Sequence, residues 1–154
     1  LIKKYKNFCN KLWNATIFIL NNTKKEKKEK IYNNITPFDA WILSIWQKTK
    51  NNINKYIQTY KFDLLAQKIY EFIWNQFCDW YLELIKITLN KYNNKQINNT
   101  KNFLLNIYKE IIISIHPIMP YISEEICKNI NEEKLNLINT KYPHKISFFE
   151  NKKI

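Results

Sequence analysis

The sequence predicts an all-α protein, a helical bundle of about five helices with a short extended segment near the C-terminus. Residues 61–89 form the longest stretch with one helical period, and apolar side chains cover more than one side of it. A helix that is apolar on several sides belongs at the centre of a bundle. The chain of 154 residues has the usual size of one domain with a sizeable core. The other periodic stretches are predicted to pack around this central helix.

The first predicted helix runs from about Lys4 to Leu20 and ends at Asn21 and Asn22, because Asn can replace Gly at a left-handed cap. Apolar residues at three- and four-residue steps form its inner face: Tyr5, Phe8, Leu12, Ala15 and Ile19. Residues 23–34, which follow, are rich in Lys and Glu. Such a segment is typical of a solvated linker, and a tail that binds nucleic acid is the alternative.

Three neighbouring residues mark the start of the second helix. Thr36 is a candidate N-cap, Pro37 suits the first helical position, and the Asp39 carboxylate suits the positive end of a helix. Apolar residues then continue at helical spacing to about Thr59. Because only residues 60 and 61 join the second helix to the third, these two helices are predicted to pack antiparallel.

The third helix is predicted to place one stripe of side chains against the core: Phe62, Leu65, Ile69, Ile73, Gln76 or Phe77, Trp80 and Leu84. These residues follow one another at the steps of an α-helix of about seven or eight turns. In this register Trp80 is a core residue, and its replacement by alanine would open a cavity that costs about 3–5 kcal/mol.

A polar loop over residues 90–99 is predicted next, followed by a fourth helix from about Thr100 to Ile115. Pro117 ends that helix, because proline disfavours a helical conformation in the residue before it. Pro120 is predicted to begin a fifth helix that reaches about Ile130. Two apolar residues are expected to fix this corner to the core: Met119 and Ile122.

The helical period is lost beyond Asn131, and residues 135–139 alternate in the manner of a short strand or extended segment. We therefore predict one helical domain over residues 1–143, and a C-terminal extension over residues 144–154 that begins a further region. The first residue is Leu1 rather than Met, which suggests a piece of a longer protein.

The chain is strongly basic, with a net charge of +12 from 25 lysines and 13 acidic residues. Such a charge favours polyanions as partners, through attraction to phosphates and release of counterions. The chain has no Arg, Val or Gly, and its abundant Lys, Asn, Ile, Tyr and Phe share A/T-rich codons. A biased genome is therefore an alternative explanation of the charge, and both explanations can hold together.

Several kinds of site are excluded or disfavoured by composition. A chain without Gly cannot contain a glycine-rich phosphate loop or a Walker A motif. Cys9, Cys78 and Cys127 form no C-x-x-C pair and lack ligand spacing with His116 and His144, so reduced thiols are expected rather than metal ligands. No apolar run approaches the length that a bilayer requires, and no signal peptide is evident.

Three segments, in this order and spacing, resemble the anticodon-binding domain of valyl-tRNA synthetases, which are class I aminoacyl-tRNA synthetases. They are NFCNKLWNA at residues 7–15, YEFIWNQFCDWYLE at residues 70–83 and HPIMPYISEE at residues 116–125. HPIMP is shared with isoleucyl and leucyl relatives, whereas the other two segments point to the valine enzyme. The resemblance covers about residues 1–143.

The resemblance implies a part of valine–tRNA ligase that binds the anticodon stem-loop of tRNA(Val) and adjoins the parent enzyme's catalytic domain. We expect no cofactor in this chain, since ATP with Mg belongs to the catalytic domain, and no catalytic residue or metal site. We also expect a monomer without membrane contact in the cytoplasm, or in a bacterial or organellar compartment. The alternatives are the same domain of an isoleucyl or leucyl enzyme, and a free-standing basic helical module.

The candidate tRNA-binding residues are Lys11, Asn14 and Phe18, which share one face of the first helix. Together they offer a cation for phosphate, an amide for a base edge and an aromatic surface for stacking. The alternative is that Phe18 is a core residue and that Asn14 makes an interhelical hydrogen bond. The family usually carries a basic residue immediately before the Phe that Phe18 matches, and here that position is Ile17.

Two further lysines, Lys91 and Lys95, are the second choice for contacts with tRNA, because they flank the end of the third helix. Asp79 and Glu83 lie one turn apart on that helix and resemble an acid–base pair. No nucleophile or metal ligand accompanies them, so pairing with Lys86 or capping of a neighbouring helix is the expected role.

Overall fold

The computed structural model describes residues 2–23 and 35–130, which form five helices and contain no strand. The helices are α1 (Ile2–Thr23), α2 (Pro37–Gln58), α3 (the consecutive segments Phe62–Glu71, Phe72–Tyr81 and Leu82–Lys91), α4 (Asn94–Ile115) and α5 (Pro120–Ile130). The predicted all-α bundle is confirmed. Residues 24–34, the extended segment at residues 135–139 and the boundary after residue 143 lie outside the described residues, and that boundary stays a prediction.

Helix α3 lies at the centre of the bundle, as its sequence predicts. Helix α1 runs parallel to α3, whereas α2 and α4 run antiparallel to it, which confirms the arrangement predicted for α2 and α3. Two contacts for each helix fix these directions: Phe8–Tyr70 and Phe18–Lys86 for α1, Asp39–Tyr81 and Trp46–Phe72 for α2, and Phe103–Tyr81 and Tyr108–Phe77 for α4.

The middle ten residues of α3, Phe72–Tyr81, form a π-helix. At its end the N–H of Leu82 donates to the carbonyl of Phe77, five residues earlier. A π turn contains more residues than an α turn, so the buried side chains are spaced more widely than in an α-helix. They come in pairs separated by five and then four residues: Phe72 with Ile73, Phe77 with Cys78, and Tyr81 with Leu82.

The prediction that Trp80 belongs to the core is wrong, because it assumed an α-helical register throughout. Trp80 is 64% exposed, and the fully buried residues at this level are Tyr81 and Ile85. Because the π turns are wider, residues four apart all face the core: Ile73, Phe77, Tyr81 and Ile85. Phe62, at the start of the predicted stripe, is also exposed.

Two predicted helix bounds need correction as well. Helix α1 continues through Asn21 and Asn22 to Thr23, whose hydroxyl donates to the carbonyl of Ile19. Helix α4 begins at Asn94 rather than near Thr100, because Asn93 acts as its N-cap and accepts a hydrogen bond from the N–H of Gln96 at 2.9 Å. The predicted polar loop is therefore mostly helical.

The start of α2 is fixed by a buried carboxylate. Thr36 and Asp39 form a capping box, in which each side chain accepts a hydrogen bond from the backbone N–H of the other. The Asp39 side chain also accepts hydrogen bonds from the Tyr81 hydroxyl at 2.6 Å and from the Thr100 hydroxyl at 3.0 Å. Asp39 is fully buried, so this single side chain joins α2 to α3 and α4. The N-cap predicted at Thr36 is confirmed.

A second, partly buried polar contact joins α2 to α4. Glu110 accepts hydrogen bonds from the indole N–H of Trp46 at 3.0 Å and from the ammonium of Lys50 at 3.3 Å. Lys50 is almost fully buried, and this burial lowers the pKa of its ammonium although Glu110 acts in the opposite direction. The interaction with Glu110 is what makes the burial of a lysine tolerable here.

The corner between α4 and α5 is held by polar and apolar contacts. The Ser123 hydroxyl donates to the carbonyl of Met119 at 2.8 Å and lies 2.9 Å from Nδ1 of His116. Met119 is buried, and Ile122 packs against the core. The predicted role of these two apolar residues is therefore confirmed.

Burial of thiols and phenols makes the fold sensitive to alkaline pH. Burial raises the pKa of the Cys78 thiol to about 12 and that of the Cys127 thiol to about 11. It also raises the pKa values of Tyr81 and Tyr108. The unfolded chain loses these protons at lower pH than the folded chain does, so stability is lost as the pH rises above about 9.

We therefore expect the melting temperature, measured by circular dichroism in the presence of reductant, to fall between pH 8 and pH 11. Cys78 alone accounts for about 3 kcal/mol of the loss at pH 11. The lowered pKa of Lys50 makes the folded state more stable as the pH rises. This single group is outweighed by the two thiols and two phenols, which act in the opposite direction. Cys78→Ala should reduce the fall, whereas Asn52→Ala, an exposed change on α2, should not. Equal melting temperatures of the unmodified chain at pH 8 and pH 11 would contradict this account.

Candidate nucleic-acid interface

The predicted residues of α1 lie beside a polar edge of α3, and together they form one surface. We call this surface the α1–α3 ridge and define it by six residues: Lys11, Asn14, Phe18, Asp79, Glu83 and Lys86. The two helices run parallel along it, with Lys11 beside Asp79 and Phe18 beside Lys86. Cations, carboxylates, an amide and an aromatic ring therefore alternate over about two helical turns.

Lys11 is held by two contacts with α3. Its ammonium donates to the Asp79 carboxylate and lies 4.1 Å from the centre of the Trp74 ring. Trp74 in turn stacks on Tyr70 at 5.5 Å, with an angle of 18° between the ring planes. Salt bridge and cation–π contact both act on the ammonium, so the position of Lys11 is defined by α3.

Asn14 and Phe18 differ in their surroundings. Asn14 is exposed, whereas Phe18 is half-buried and packs against the core. The Lys86 ammonium lies 5.7 Å from the centre of the Phe18 ring and also donates to Glu83 at 2.6 Å. The alternative that Phe18 packs against the core is therefore confirmed in part, and the rest of its ring stays accessible at the ridge.

The two carboxylates of the ridge have different partners. The predicted pairing of Glu83 with Lys86 is confirmed, and both residues lie on α3 three residues apart. Asp79 does not pair with Lys86 but with Lys11 of α1. That partner is 68 residues away in the sequence, and the pairing follows only from the parallel packing of α1 against α3.

Lys91 and Lys95 lie apart from the ridge, at the joint between α3 and α4. Lys91 is the last residue of α3, Lys95 is in the first turn of α4, and both are exposed. The joint lies about one and a half turns beyond Lys86 along α3. Ile17 is exposed on α1. The structure therefore brings together the three candidates of α1 and separates them from the two lysines of the joint.

The described residues hold neither a cluster of metal-ligand side chains nor a helix that could cross a membrane. Within residues 2–23 and 35–130, no group of three or more His, Cys, Asp or Glu side chains is arranged to hold a metal ion. No helix of the same two ranges is both long enough and apolar enough to cross a membrane.

The two lysines of the ridge are balanced by its two carboxylates, so the class of this chain is defined by the comparison with known families. Residues 39–154 match the family model described as the anticodon-binding domain of tRNA ligase. The match covers well over half of the chain. The chain belongs to this family.

The relatives found among curated proteins are valine–tRNA ligases. The chain is 38% identical to that of Legionella pneumophila (strain Lens) over 152 residues, which cover 92% of this chain and 16% of the relative. It is 38% identical to that of Buchnera aphidicola subsp. Acyrthosiphon pisum over 94% of this chain and 16% of the relative. It is 40% identical to that of Xanthomonas oryzae pv. oryzae (strain PXO99A) over 82% of this chain and 13% of the relative. The chain therefore spans about one sixth of the length of the first two.

These relatives confirm the resemblance to the valine enzymes that the sequence motifs indicate. Three features of the ridge were not predicted: the pairing of Asp79 with Lys11, the Trp74 ring beside that lysine, and the Lys86 ammonium near the Phe18 ring. The sequence shows which face of each helix is apolar. It does not show which residues of α1 lie beside which residues of α3, so these contacts were not predicted.

Proposed function

We propose that this chain binds the anticodon stem-loop of tRNA(Val) as part of a valine–tRNA ligase. The observation that carries the proposal is the placement of Lys11, Asn14 and Phe18 on one ridge in a chain of the anticodon-binding family. An exposed amide beside a partly exposed aromatic ring suits unpaired bases of a loop, which are read by hydrogen bonds and stacking.

Contacts with tRNA divide into two kinds on this surface. Asn14 would bond a base edge, and Phe18 would offer part of its ring for stacking. Lys91 and Lys95 are exposed at the α3–α4 joint and would neutralise phosphates of the stem. Phosphate contacts set affinity and position, whereas base contacts set specificity.

For Lys11 to contact tRNA, its ammonium must either leave its present partners or contact a phosphate in addition to them. Its ammonium is occupied by the Asp79 carboxylate and the Trp74 ring, and a phosphate oxygen would compete with Asp79. Removal of that competitor should strengthen binding. We expect Asp79→Ala to raise the affinity for tRNA(Val) and for other tRNAs alike, because a phosphate carries no sequence information.

The remaining steps of the ligase reaction belong to parts of the polypeptide that this chain does not contain. ATP with Mg and the attachment of valine are assigned to a catalytic domain elsewhere in such a ligase, and this chain is assigned binding alone. We further propose that the chain acts as a monomer in the cytoplasm, or in the equivalent bacterial or organellar compartment.

The phosphate contacts can be tested by the dependence of binding on salt. With an anticodon hairpin of tRNA(Val) as probe, the double variant Lys91→Ala/Lys95→Ala should bind more weakly. The slope of log affinity against log salt should fall by roughly 0.7–0.9 for each lysine that contacts a phosphate. Fluorescence anisotropy between 50 and 300 mM KCl measures both quantities.

A matched control removes the same charge elsewhere. Lys48→Ala/Lys55→Ala changes two exposed lysines on α2, away from the α3–α4 joint, and should leave the slope close to that of the unmodified chain. Equal slopes for the two double variants would place the phosphate contacts outside the joint. A slope near zero for the unmodified chain would contradict RNA binding itself.

A further inference from the structure

Trp80 is the most exposed of the five tryptophans, at 64%. Tryptophan is highly buried in most folded proteins, so an exposed ring calls for a reason other than the core. The backbone gives a second observation. Phe72–Tyr81 is a π-helix, a rare form that occurs frequently at functional sites, and its register is what turns Trp80 from the core to solvent. An uncommon backbone conformation therefore exposes an aromatic ring.

Trp80 is the first residue of a stripe along the outer face of α3. Residues four apart share a face in this part of the helix, so Leu84 lies on the same face as Trp80. Ile87 and Lys91 continue that face at the three- and four-residue steps of an α-helix. We call these four residues the outer stripe. Leu84 is half-buried and the other three are exposed, so the stripe is apolar over most of its length of about 16 Å and ends in a cation.

The outer stripe adjoins both surfaces that the proposed function assigns to tRNA. Glu83 borders it on the side of α1, because Glu83 pairs with Lys86 and the Lys86 ammonium lies 5.7 Å from the centre of the Phe18 ring. At its other end the stripe includes Lys91, which also belongs to the α3–α4 joint. An RNA strand can therefore pass from the ridge to the joint along α3.

The charges beside Trp80 restrict what can lie on its ring. Asp79 precedes Trp80 in the sequence, Glu83 lies about one turn further along α3, and both carboxylates are exposed. They would repel a phosphate placed beside the ring, whereas an uncharged base can stack on it. Every base has a π-face, so stacking of this kind tolerates any sequence. A phosphate is favoured at the far end of the stripe, beside Lys91.

We propose that the Trp80 ring stacks on one unpaired base of the anticodon loop that lies outside the three anticodon letters. The loop backbone then runs along Leu84 and Ile87 to Lys91. The stacked base is not one that the ridge reads, because Glu83 lies between the Trp80 ring and Phe18. This inference rests on the proposed function, since it takes the anticodon loop as the ligand.

The stacking contact gives Trp80 a positioning role in anticodon recognition. Bases of a loop can be read by hydrogen bonds only when they are unstacked from one another. A neighbouring base that stacks on Trp80 no longer stacks on the anticodon letters, so these are left accessible to Asn14 and Phe18. Trp80 therefore contributes affinity that does not depend on the anticodon sequence.

Trp80→Ala tests this contact in a folded protein, because the ring faces solvent. Affinity for the anticodon hairpin of tRNA(Val) should fall about tenfold, and by the same factor for a hairpin with its second anticodon letter changed. The slope of log affinity against log salt should not change, because no phosphate contact is lost. Trp80→Phe, which keeps an aromatic ring, should recover most of the affinity. Fluorescence anisotropy measures these quantities.

Tyr121→Ala is the matched control for the loss of an exposed ring. Tyr121 is 90% exposed and lies in α5, which follows the end of α4 opposite the α3–α4 joint. This variant should bind both hairpins as the unmodified chain does. An equal loss of affinity for Tyr121→Ala and Trp80→Ala would overturn the inference, and so would an effect of Trp80→Ala on only one of the two hairpins.

Ile87→Lys tests the path of the RNA backbone. A lysine on that path should strengthen binding to both hairpins and raise the salt slope by roughly 0.7–0.9. Ile57→Lys adds the same charge at another exposed isoleucine, in the last turn of α2 and away from the outer stripe, and should leave the slope close to that of the unmodified chain. Equal slopes for the two variants would contradict the proposed path.

A fluorescent base identifies the loop position that Trp80 contacts. The emission of 2-aminopurine falls when it stacks, and the probe is placed at one loop position at a time outside the anticodon. At saturating protein, emission at one of these positions should be lower with the unmodified chain than with Trp80→Ala. Equal emission with the two proteins at every such position would overturn the inference.

The inference and the proposed function fail in different ways in these experiments. If the unmodified chain discriminates between the two hairpins and Trp80→Ala binds each as tightly as it does, the role of Trp80 is wrong and the proposed function stands. If the unmodified chain does not bind the hairpins, the proposed function is contradicted and the inference with it. Anisotropy titrations of both hairpins with both proteins distinguish these outcomes.

Discussion

Asp39→Ala should lower the free energy of unfolding by about 3–5 kcal/mol, the largest effect expected of any single polar substitution in the bundle. The side chain is fully buried and accepts hydrogen bonds from the backbone N–H of Thr36 and from the hydroxyls of Tyr81 and Thr100. Alanine would leave three buried donors on three different helices without an acceptor. It would also remove half of the capping box at the start of α2.

Urea unfolding followed by circular dichroism measures this effect. Asp63→Ala is the matched control, because Asp63 is also an aspartate in the first turn of a helix but is exposed, and it should cost less than about 1 kcal/mol. Similar losses for the two variants would mean that Asp39 does not join α2 to α3 and α4 as the hydrogen bonds indicate.

Phe77→Ala should cost about 3–5 kcal/mol, because it removes a fully buried ring from the centre of α3. The Phe77 ring stacks on Tyr108 at 5.8 Å and lies 5.7 Å from Tyr81, so its loss opens a cavity between α3 and α4. Trp80→Ala, three residues further on, should cost less than about 1 kcal/mol because Trp80 faces solvent. The order of these two effects tests the π-helical register directly.

An unbroken α-helix makes the opposite prediction for Trp80. In that register Trp80 lies against the core, and its replacement would be as costly as that of Phe77. Thermal melting of both variants beside the unmodified chain distinguishes the two registers. A loss of 3 kcal/mol or more for Trp80→Ala would contradict the π-helical arrangement of α3.

The sequence predicts the helices well where a local chemical signal marks them. Thr36, Pro37 and Asp39 together specify the start of α2, and Pro120 specifies the start of α5. The π-helix carries no such signal, since Phe72–Tyr81 contains neither Gly nor Pro, and one added residue per turn shifts Trp80 from the core to the surface. The start of α4 at Asn94 was not predicted, because Asn residues suit both a loop and the N-cap of a helix.

The candidate site is predicted in part for a similar reason. Lys11, Asn14 and Phe18 share a face that helical periodicity reveals, and the family resemblance gives this face a role. The pairing of Lys11 with Asp79 depends on which edge of α3 packs beside α1. Tertiary packing determines which edge this is, and the periodicity of a single helix carries no information about it.

The most direct test of the central claim compares two anticodon hairpins that differ only in the second anticodon letter. The unmodified chain should bind the valine hairpin more tightly by about 1–3 kcal/mol, and Asn14→Ala should narrow that difference, because a base-edge contact is lost. Asn52→Ala, which changes an exposed Asn of α2, should leave the difference unchanged. Phe18→Ala should narrow it too, and its melting curve must be measured beside its binding because Phe18 also packs against the core. Equal binding of the two hairpins by the unmodified chain would contradict the claim that the α1–α3 ridge reads the anticodon.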